Sequence, residues 1–197
     1  MIANTISRDK SNGYEQIAEH FIAARNSPIG PATVKEWTKT LQPGSAILDL
    51  GCGHGVPTSQ VLVEQGFAVY GVDASAKLIA EFRKRLPTAR AECSAVEDSE
   101  FFQRKFPAVI AWGLIFLLLV DTQHLLIRKV ARALEPGGKF LFTATKQAVT
   151  WRDSLTDLES VSLGAERYEQ MLNAEGLMFT GETTDEGENH YYFVSKP

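Results

Sequence analysis

Three glycines at alternate positions follow a short apolar segment and form the clearest candidate ligand-binding loop of the sequence. The segment is Ile47-Leu48-Asp49-Leu50, and the glycines are Gly51, Gly53 and Gly55. Because glycine has no Cβ, its backbone adopts unusual angles and lets a ligand lie close against the main chain. An apolar strand that runs into such a turn and then into a helix is the usual construction of a nucleotide site in an open α/β sheet.

A second apolar segment ends in an acid and supports the same interpretation. Residues 67–73 read Phe-Ala-Val-Tyr-Gly-Val-Asp, which places Asp73 18 residues after Gly55. A carboxylate at the end of the second strand of such a sheet accepts hydrogen bonds from the two hydroxyls of a ribose. The glycine turn and the acid together therefore predict a site for a ribose-containing ligand.

The glycine spacing distinguishes two classes of cofactor. A nicotinamide-binding fingerprint has a third glycine at its sixth position, so that the helix start packs under a pyrophosphate. That position here is Val56. The arrangement resembles motif I of the class I S-adenosylmethionine-dependent methyltransferases, with Asp73 matching their ribose-binding acid, and the resemblance covers about residues 40–145. It implies a Rossmann-like three-layer α/β sandwich, with a seven-stranded, mostly parallel sheet and an antiparallel last strand.

The resemblance also assigns residues to S-adenosylmethionine and to its product, S-adenosylhomocysteine. In this family the loop after the third strand holds adenine, and the fourth strand ends beside the sulfonium. Many members have Asp where this chain has Ser94, a difference that affects the polar contact to the adenine amine. The cofactor-binding candidates are Asp49, Gly51, Cys52, Gly53, Asp73, Ala74, Ser94, Ala95, Val96, Glu97, Trp112 and Gly113.

The segments before and after these motifs are expected to bind the methyl acceptor. Residues 14–25 place apolar side chains at helical spacing, and the family often carries a lid helix at this point. We therefore expect residues 1–40 to form a helical lid on a core of residues 41–197, within a single domain. Tyr14 and Arg25 are substrate-binding candidates on this lid, with Arg25 suited to pair with a carboxylate; packing and helix capping are the alternatives.

Three further substrate-binding candidates follow the fourth and fifth predicted strands. Phe116 lies just beyond the fourth strand, and Trp151 and Arg152 lie beyond the fifth, in a segment without clear periodicity. Further along, Asp121 and Ser162 are expected to cap helices. A closing hairpin is expected from residues 177–183 and 191–194.

Two histidines are candidate catalytic bases. His54 lies in the glycine turn and His190 at the acidic tip of the predicted hairpin. Imidazole titrates near neutrality, so either ring suits removal of a proton from the methyl acceptor. Solvent-facing turn positions are the alternative for both. The sequence has no H-E-x-x-H, P-loop or zinc-type cysteine spacing, so no metal site is expected.

Composition narrows the classes of partner. The 197 residues contain 20 Lys plus Arg and 24 Asp plus Glu, a net charge of -4 that disfavours a large nucleic-acid surface. The longest apolar run, Leu114–Val120, is far shorter than the about 20 residues of a membrane span.

The start has no secretory h-region, and two unpaired cysteines fit a reducing compartment. A cytoplasmic protein is therefore expected.

The leading hypothesis is a methyltransferase that acts on a small molecule through oxygen, nitrogen or carbon. The alternatives are methylation of RNA or protein, or a regulator that binds S-adenosylmethionine without turnover. A nicotinamide dehydrogenase is disfavoured by Val56. The sequence leaves the acceptor and the oligomeric state open.

Overall fold

The sheet predicted from the sequence is present in the structure, a computed structural model that describes residues 9–24 and 29–197. The strands are β1 (Ala46–Leu50), β2 (Ala68–Asp73), β3 (Arg90–Cys93), β4 (Phe106–Ala111), β5 (Leu134–Thr143), β6 (Ala148–Arg152), β7 (Glu159–Leu163), β8 (Met178–Thr184) and β9 (His190–Ser195). The helices are α1 (Ala18–Ala24), α2 (Pro31–Thr38), α3 (Thr58–Glu64), α4 (Ala76–Arg85), α5 (Val120–Ala133) and α6 (Ala165–Ala174). Short 3-10 turns occupy Phe101–Gln103 and Ile115–Leu117.

The main sheet has the order β3-β2-β1-β4-β5-β9-β8. The neighbouring pairs among β1 to β5 are all parallel, whereas β9 runs antiparallel to β5 and β8. The carboxyl ends of β1, β2 and β4 therefore meet at one edge, where ligands bind in open α/β sheets. This topology confirms the predicted fold, including its antiparallel last strand.

The apolar sequence of the central strands reflects burial on both faces of the sheet. Leu48 and Leu50 of β1 pack into a cluster that includes buried side chains of α5 and α6. Ile47 points the other way, into a second cluster with Leu62 of α3 and Phe82 of α4. The alternation places a layer of helices on each side of the sheet.

Several helix starts differ from the sequence-based expectation. Asp121 does not cap α5, because the helix already begins at Val120 with Leu119 as the preceding residue. Ser162 does not cap α6 either. It lies in β7, where its hydroxyl donates to the Thr145 carbonyl at 2.9 Å, and α6 starts after Gly164.

The first helix is shorter than the helical spacing of residues 14–25 predicts. Residues 10–16 form turns, and α1 begins only at Ala18. The second helix, α2, spans Pro31–Thr38 and begins with a proline. Proline suits the first helical turn because its φ angle is already helical and its missing N–H has no partner there.

Residues 148–163 form a structure that the sequence analysis did not predict. β6 and β7 pair antiparallel, from Ala148 opposite Leu163 to Arg152 opposite Glu159, and make a separate two-stranded ribbon. The ribbon packs on the turn Ile115–Leu117 after β4. Its tip, residues 153–158, is thereby held above the ligand-binding edge of the sheet.

Within residues 9–24 and 29–197, no helix has the length and apolar character needed to cross a membrane.

Candidate active site

A cavity of about 260 Å³ opens at the carboxyl ends of the parallel strands. Its floor is formed by the loops after β1, β2, β3 and β4, and its roof by the segment before α1 and by the ribbon tip. The lining residues are Lys10, Ser11, Asn12, Tyr14, Phe21, Asp49, Gly51, Cys52, Gly53, Val56, Thr58, Asp73, Ala74, Leu78, Ala95, Val96, Glu97, Trp112, Gly113, Leu114, Phe116, Leu117, Leu118, Asp153, Ser154, Leu155 and Asn189.

The glycine turn serves both the cavity and the packing beneath it. Gly53 has φ 54°, in the left-handed region that glycine tolerates best, and its N–H points at Asp73. Gly55 has φ 91°, and a Cβ there would lie 2.7 Å from Leu86 Cδ1. Gly53 therefore exposes backbone to the cavity, whereas Gly55 is required by the close approach of α4.

Asp73 is fixed by the backbone of two loops. Gly53 N donates to its Oδ2 at 2.9 Å, and Ser75 N donates to its Oδ1 at 2.8 Å. Burial raises the pKa of this carboxyl, and the two backbone hydrogen bonds act in the opposite direction. The carboxylate is thus held rigidly at the end of β2, with lone pairs left for hydroxyl donors in the cavity.

Asp49 lies deeper, on β1, and is only 1% exposed. Ser59 at the start of α3 donates its hydroxyl to Asp49 Oδ2 at 2.6 Å. Burial raises the pKa of Asp49 to about 7, and the nearby charge of Asp73 adds to the effect. Ionisation of Asp49 is therefore coupled to what occupies the cavity, because a cation beside it favours the charged form.

The loop after β3 brings apolar side chains to the cavity. Ala95 and Val96 are buried and line it together with Glu97. Lys129 of α5 supports this loop from behind, since its Nζ donates to the carbonyls of Glu97 and Ser99 at 2.8 and 2.7 Å. Burial lowers the pKa of Lys129.

A chain of hydrogen bonds joins two lining residues that come from distant elements. Trp112 Nε1 donates to Tyr191 Oη at 2.8 Å, and Tyr191 Oη donates to Asp185 Oδ2 at 2.7 Å. Asp185 in turn accepts from the backbone N–H of Asn189 at 2.9 Å and from its side-chain amide at 3.1 and 3.0 Å. The buried Tyr191 therefore fixes the position of Trp112, which follows β4, relative to that of Asn189, which precedes β9.

The roof segment, residues 10–21, is attached to the floor at two points. Lys10 Nζ binds Asp98 Oδ2 at 2.6 Å and Glu97 Oε1 at 3.5 Å. Glu15 Oε2 accepts from Ser75 Oγ at 2.5 Å and from Lys77 N at 3.1 Å. These contacts draw the segment across the loops after β2 and β3 and shield the cavity from water.

The roof also joins the ribbon. Tyr14 Oη donates to Asp153 Oδ2 at 3.3 Å, and the Tyr14 ring meets Phe21 edge-on with centroids 5.2 Å apart. The other oxygen of Asp153 accepts from Leu155 N at 2.9 Å and from Thr156 N at 2.9 Å, which shapes the ribbon tip. Asp153 is thus a carboxylate that a tight turn holds at the cavity.

The structure brings most of the sequence-derived candidates together. Of the cofactor-binding set, every residue except Ser94 lines the cavity, and the substrate-binding candidates Tyr14 and Phe116 line it too. Ser94 instead turns its hydroxyl to the Ala95 carbonyl at 3.3 Å. Arg25 lies outside the described residues.

Four candidates lie elsewhere in the described structure. His54 is 1% exposed and packs edge-on against Phe21, and it is not among the residues that line the cavity. His190 Nε2 lies 3.2 Å from Glu182 Oε2 on β8. Trp151 packs on Phe116 with centroids 5.2 Å apart, and Arg152 donates to the Asp157 carbonyl at 2.8 Å.

Sequence reasoning assigned no role to several residues that line the cavity. These are Lys10, Ser11, Asn12 and Phe21 of the roof segment, Asp153, Ser154 and Leu155 of the ribbon tip, and Asn189 in the turn before β9. Asp153 had a local signal, because Asp followed by Ser is typical of a turn. The ribbon itself had none, since β6 is mostly exposed and the side chains that β7 buries are the polar Ser160 and Ser162, so no apolar alternation marks these strands.

Comparison with solved structures identifies the fold. A TehB-like S-adenosylmethionine-dependent methyltransferase from Corynebacterium glutamicum superposes with a TM-score of 0.69 at 20% identity, over 94% of this chain and 97% of that one. A 1,6-didemethyltoxoflavin-N1-methyltransferase from Burkholderia thailandensis gives 0.72 at 13% identity, over 96% and 90%. The fold is that of the class I S-adenosylmethionine-dependent methyltransferases.

Sequence comparison points to the same class of protein. Residues 47–138 match the family model described as a methyltransferase domain. An uncharacterized methyltransferase of Synechocystis sp. is 30% identical over 111 residues, which are 56% of this chain and 52% of that protein. The chain thus spans about half the length of this curated relative. The residues that match this family model contain the glycine turn, Asp73 and the loops after β3 and β4.

Proposed function

We propose that this protein transfers a methyl group from S-adenosylmethionine to a small-molecule acceptor. The observation that carries the proposal is the Asp73 carboxylate, held by the N–H groups of Gly53 and Ser75 beside bare glycine backbone in a cavity. The Burkholderia thailandensis enzyme, whose fold is similar, was crystallised with S-adenosylhomocysteine and 1,6-didemethyltoxoflavin. That precedent supports both the cofactor and a small acceptor.

The lining residues fit an adenosine-bearing sulfonium compound. Asp73 would accept the ribose hydroxyls, while Ala95 and Val96 would pack on adenine and Glu97 would lie at its edge. Gly51, Cys52 and Gly53, with Asp49 behind them, would border the amino acid portion, and Ala74, Trp112 and Gly113 would complete the wall. Bound there, the cofactor supplies a methyl group on a positively charged sulfur.

The protein's contribution to such a reaction is alignment and exclusion of water. The lid, which we place within residues 1–40, closes the cavity through the contacts of Lys10 and Glu15, over a core of residues 41–197. Tyr14 and Phe116 would contact the acceptor, with Trp151 supporting Phe116 from behind. The burial of His54 and the pairing of His190 with Glu182 favour a reaction without a histidine base at the acceptor.

The roofed cavity favours a small molecule over RNA or protein as the acceptor. A macromolecular substrate requires an open approach to the cofactor, whereas here the lid and the ribbon tip meet above it at Tyr14 and Asp153. The net charge of -4 points the same way. Two free cysteines fit a cytoplasmic setting.

Calorimetric titration with S-adenosylhomocysteine tests the cofactor assignment. Asp73→Ala and Gly53→Arg are expected to weaken binding at least about 10-fold, because the first removes a charged hydrogen-bond acceptor and the second fills the cavity floor. Gly66→Arg is the matched control, since Gly66 has a similar positive φ of 84° but open space around it. Binding that withstands both site variants would contradict the assignment.

Turnover separates the remaining alternatives. Release of S-adenosylhomocysteine is measured with panels of small molecules, with RNA and with protein extracts. Release with small molecules supports the proposal, and release only with RNA or protein identifies the second class of acceptor. Tight cofactor binding without release in any panel identifies a regulator.

A further inference from the structure

We infer that the acceptor is an apolar molecule that carries an amine, and that the carboxylate of Asp153 binds this amine. The inference rests on the proposed methyl transfer and specifies its substrate class. The inference follows from three features of the cavity. These are the charges of the side chains that line the cavity, the hydrogen bonds of Asp153, and the aromatic rings in the lining.

The first feature is the charge of the lining. Four acids line the cavity, namely Asp49, Asp73, Glu97 and Asp153, whereas Lys10 is the only cationic side chain among its described lining residues. Lys10 is already paired with Asp98 and Glu97. An acceptor with a carboxylate or phosphate would meet uncompensated negative charge here, and a cation or a neutral donor would be attracted.

The second feature is the unequal use of the two Asp153 oxygens. Oδ1 accepts three bonds within the ribbon tip, from Leu155 N, Thr156 N and Thr156 Oγ1. Oδ2 has one partner among the described residues, Tyr14 Oη at the long distance of 3.3 Å. A carboxylate oxygen has two lone pairs, so Oδ2 keeps the capacity to accept a further hydrogen bond while Oδ1 fixes its position.

The third feature is the apolar, aromatic character of the surroundings. Tyr14, Phe21, Trp112 and Phe116 line the cavity together with Leu117 and Leu155. Aromatic faces attract ammonium groups and bury the apolar body that carries them. An amine on a compact hydrophobic skeleton matches both this lining and the carboxylate.

The chemistry of methyl transfer agrees with this placement. A bound ammonium first gives up a proton to water, and the neutral amine nitrogen then forms its bond to the methyl carbon while the carbon–sulfur bond breaks and leaves its electron pair on sulfur. Positive charge therefore passes from sulfur to nitrogen, and the product ammonium then gives up a proton to water. A carboxylate beside the nitrogen stabilises the charge that develops on it, so Asp153 would act without serving as the base.

Matched probes test the inference in protein saturated with S-adenosylhomocysteine. Benzylamine and phenylacetate share one apolar body and differ in the sign of their charge. Calorimetry is expected to show benzylamine binding at least about 10-fold more tightly than phenylacetate, as one charge-assisted hydrogen bond allows. Equal affinity, or tighter binding of phenylacetate, overturns the inference.

Two variants test whether Asp153 supplies the carboxylate that binds the amine. Asp153→Asn keeps an oxygen for the turn but removes the charge, so benzylamine binding is expected to fall about 10-fold. Asp157→Asn is the matched control, because Asp157 is an exposed acid of the same ribbon tip outside the cavity lining. An Asp153→Asn protein that binds benzylamine as the parent does contradicts the inference.

A second variant separates binding by Asp153 from simple closure of the roof. Glu15→Ala removes the attachment of the lid to Ser75 and Lys77 and leaves Asp153 and its ribbon turn intact. The ratio of benzylamine affinity to phenylacetate affinity is then expected to change less than about 2-fold, because a looser roof weakens the binding of both probes alike. A loss of this preference as large as that of Asp153→Asn would show that Asp153 only holds the roof. Failure of S-adenosylhomocysteine to bind at all would refute the proposed function instead, before any amine is added.

Discussion

Trp112 and Tyr191 are joined by a hydrogen bond of 2.8 Å that ties the wall of the cavity to the last strand of the sheet. Tyr191 passes the connection on to Asp185, and so to the loop that carries Asn189. Neither Tyr191 nor Asp185 lines the cavity. They act by holding two residues that do.

Tyr191→Phe is expected to lower the free energy of unfolding by about 1–3 kcal/mol, because Trp112 and Asp185 each lose a hydrogen-bond partner beside the buried Tyr191 ring. Ligand affinity should fall several-fold as the two walls loosen. Tyr192→Phe is the control: it removes the adjacent buried hydroxyl, which reaches the Thr145 carbonyl at 3.3 Å. Urea unfolding and titration with S-adenosylhomocysteine measure both effects. Equal losses of affinity in the two variants would refute a role specific to Tyr191.

Asp49 is expected to make stability depend on pH. Its pKa rises from the ordinary 3.8 to about 7 in the folded protein. Between these values the folded state holds a proton that the unfolded state releases, so the free energy of unfolding falls as pH rises from about 4 to about 7, then levels off. At about 1.36 kcal/mol per pH unit, the contribution is on the order of 4 kcal/mol.

Asp49→Asn tests this coupling, because an amide oxygen can still accept the Ser59 hydroxyl without titrating. Urea unfolding at pH 5 and pH 8 gives the measurement. From pH 5 to pH 8, the free energy of unfolding of the parent protein is expected to fall by more than that of the variant. An identical difference in both proteins would show that Asp49 does not contribute.

Glu15 is expected to control the release of ligand from the cavity. Its carboxylate accepts the Ser75 hydroxyl and the Lys77 N–H, and the hydrogen bond from Ser75 lowers its pKa. Glu15→Ala removes this attachment of the lid, so S-adenosylhomocysteine should leave several-fold faster in stopped-flow displacement. Glu19→Ala, an exposed change on α1, serves as control. Unchanged release from the Glu15 variant would mean that the lid opens elsewhere.

Lys129 is expected to support the loop after β3, for which we propose contact with adenine, from outside the cavity. Lys129→Met removes two hydrogen bonds to the carbonyls of Glu97 and Ser99, together with the ammonium that lies 4.8 Å from the centroid of the Phe101 ring, and keeps an unbranched apolar side chain. We expect a 3- to 10-fold weaker affinity for S-adenosylhomocysteine, by roughly the net effect of one hydrogen bond. Arg128→Met, which removes an exposed pair with Glu175, should leave affinity unchanged. An equal effect of both variants would refute the prediction.

The sequence predicted the sheet because its signals are local and strong. The apolar segments at residues 47–50 and 106–113 are typical of strands that are buried between two helical layers. The glycine turn and Asp73 then gave the floor of the cavity, since parallel strands bring their carboxyl ends to one edge. The residues predicted on that floor line the cavity, apart from Ser94.

The roof was less predictable, because it depends on contacts between distant segments. Trp151 and Arg152 were chosen for their chemistry, yet the ribbon presents the next residues, Asp153 to Leu155, to the cavity. A pleated strand turns alternate side chains to opposite faces, so an error of one or two residues changes what reaches the ligand. The imidazole of His54 suits a catalytic base, but the ring is buried, because Phe21 of the lid packs against it.

The ribbon shares no strand with the main sheet in the described structure, and its tip forms part of the roof. Exchange of residues 153–158 for a loop of different length or charge would leave every hydrogen bond between the seven strands in place. Under the proposed function, evolution or an engineer can therefore alter the choice of acceptor through this one loop, without refolding the floor of the cavity.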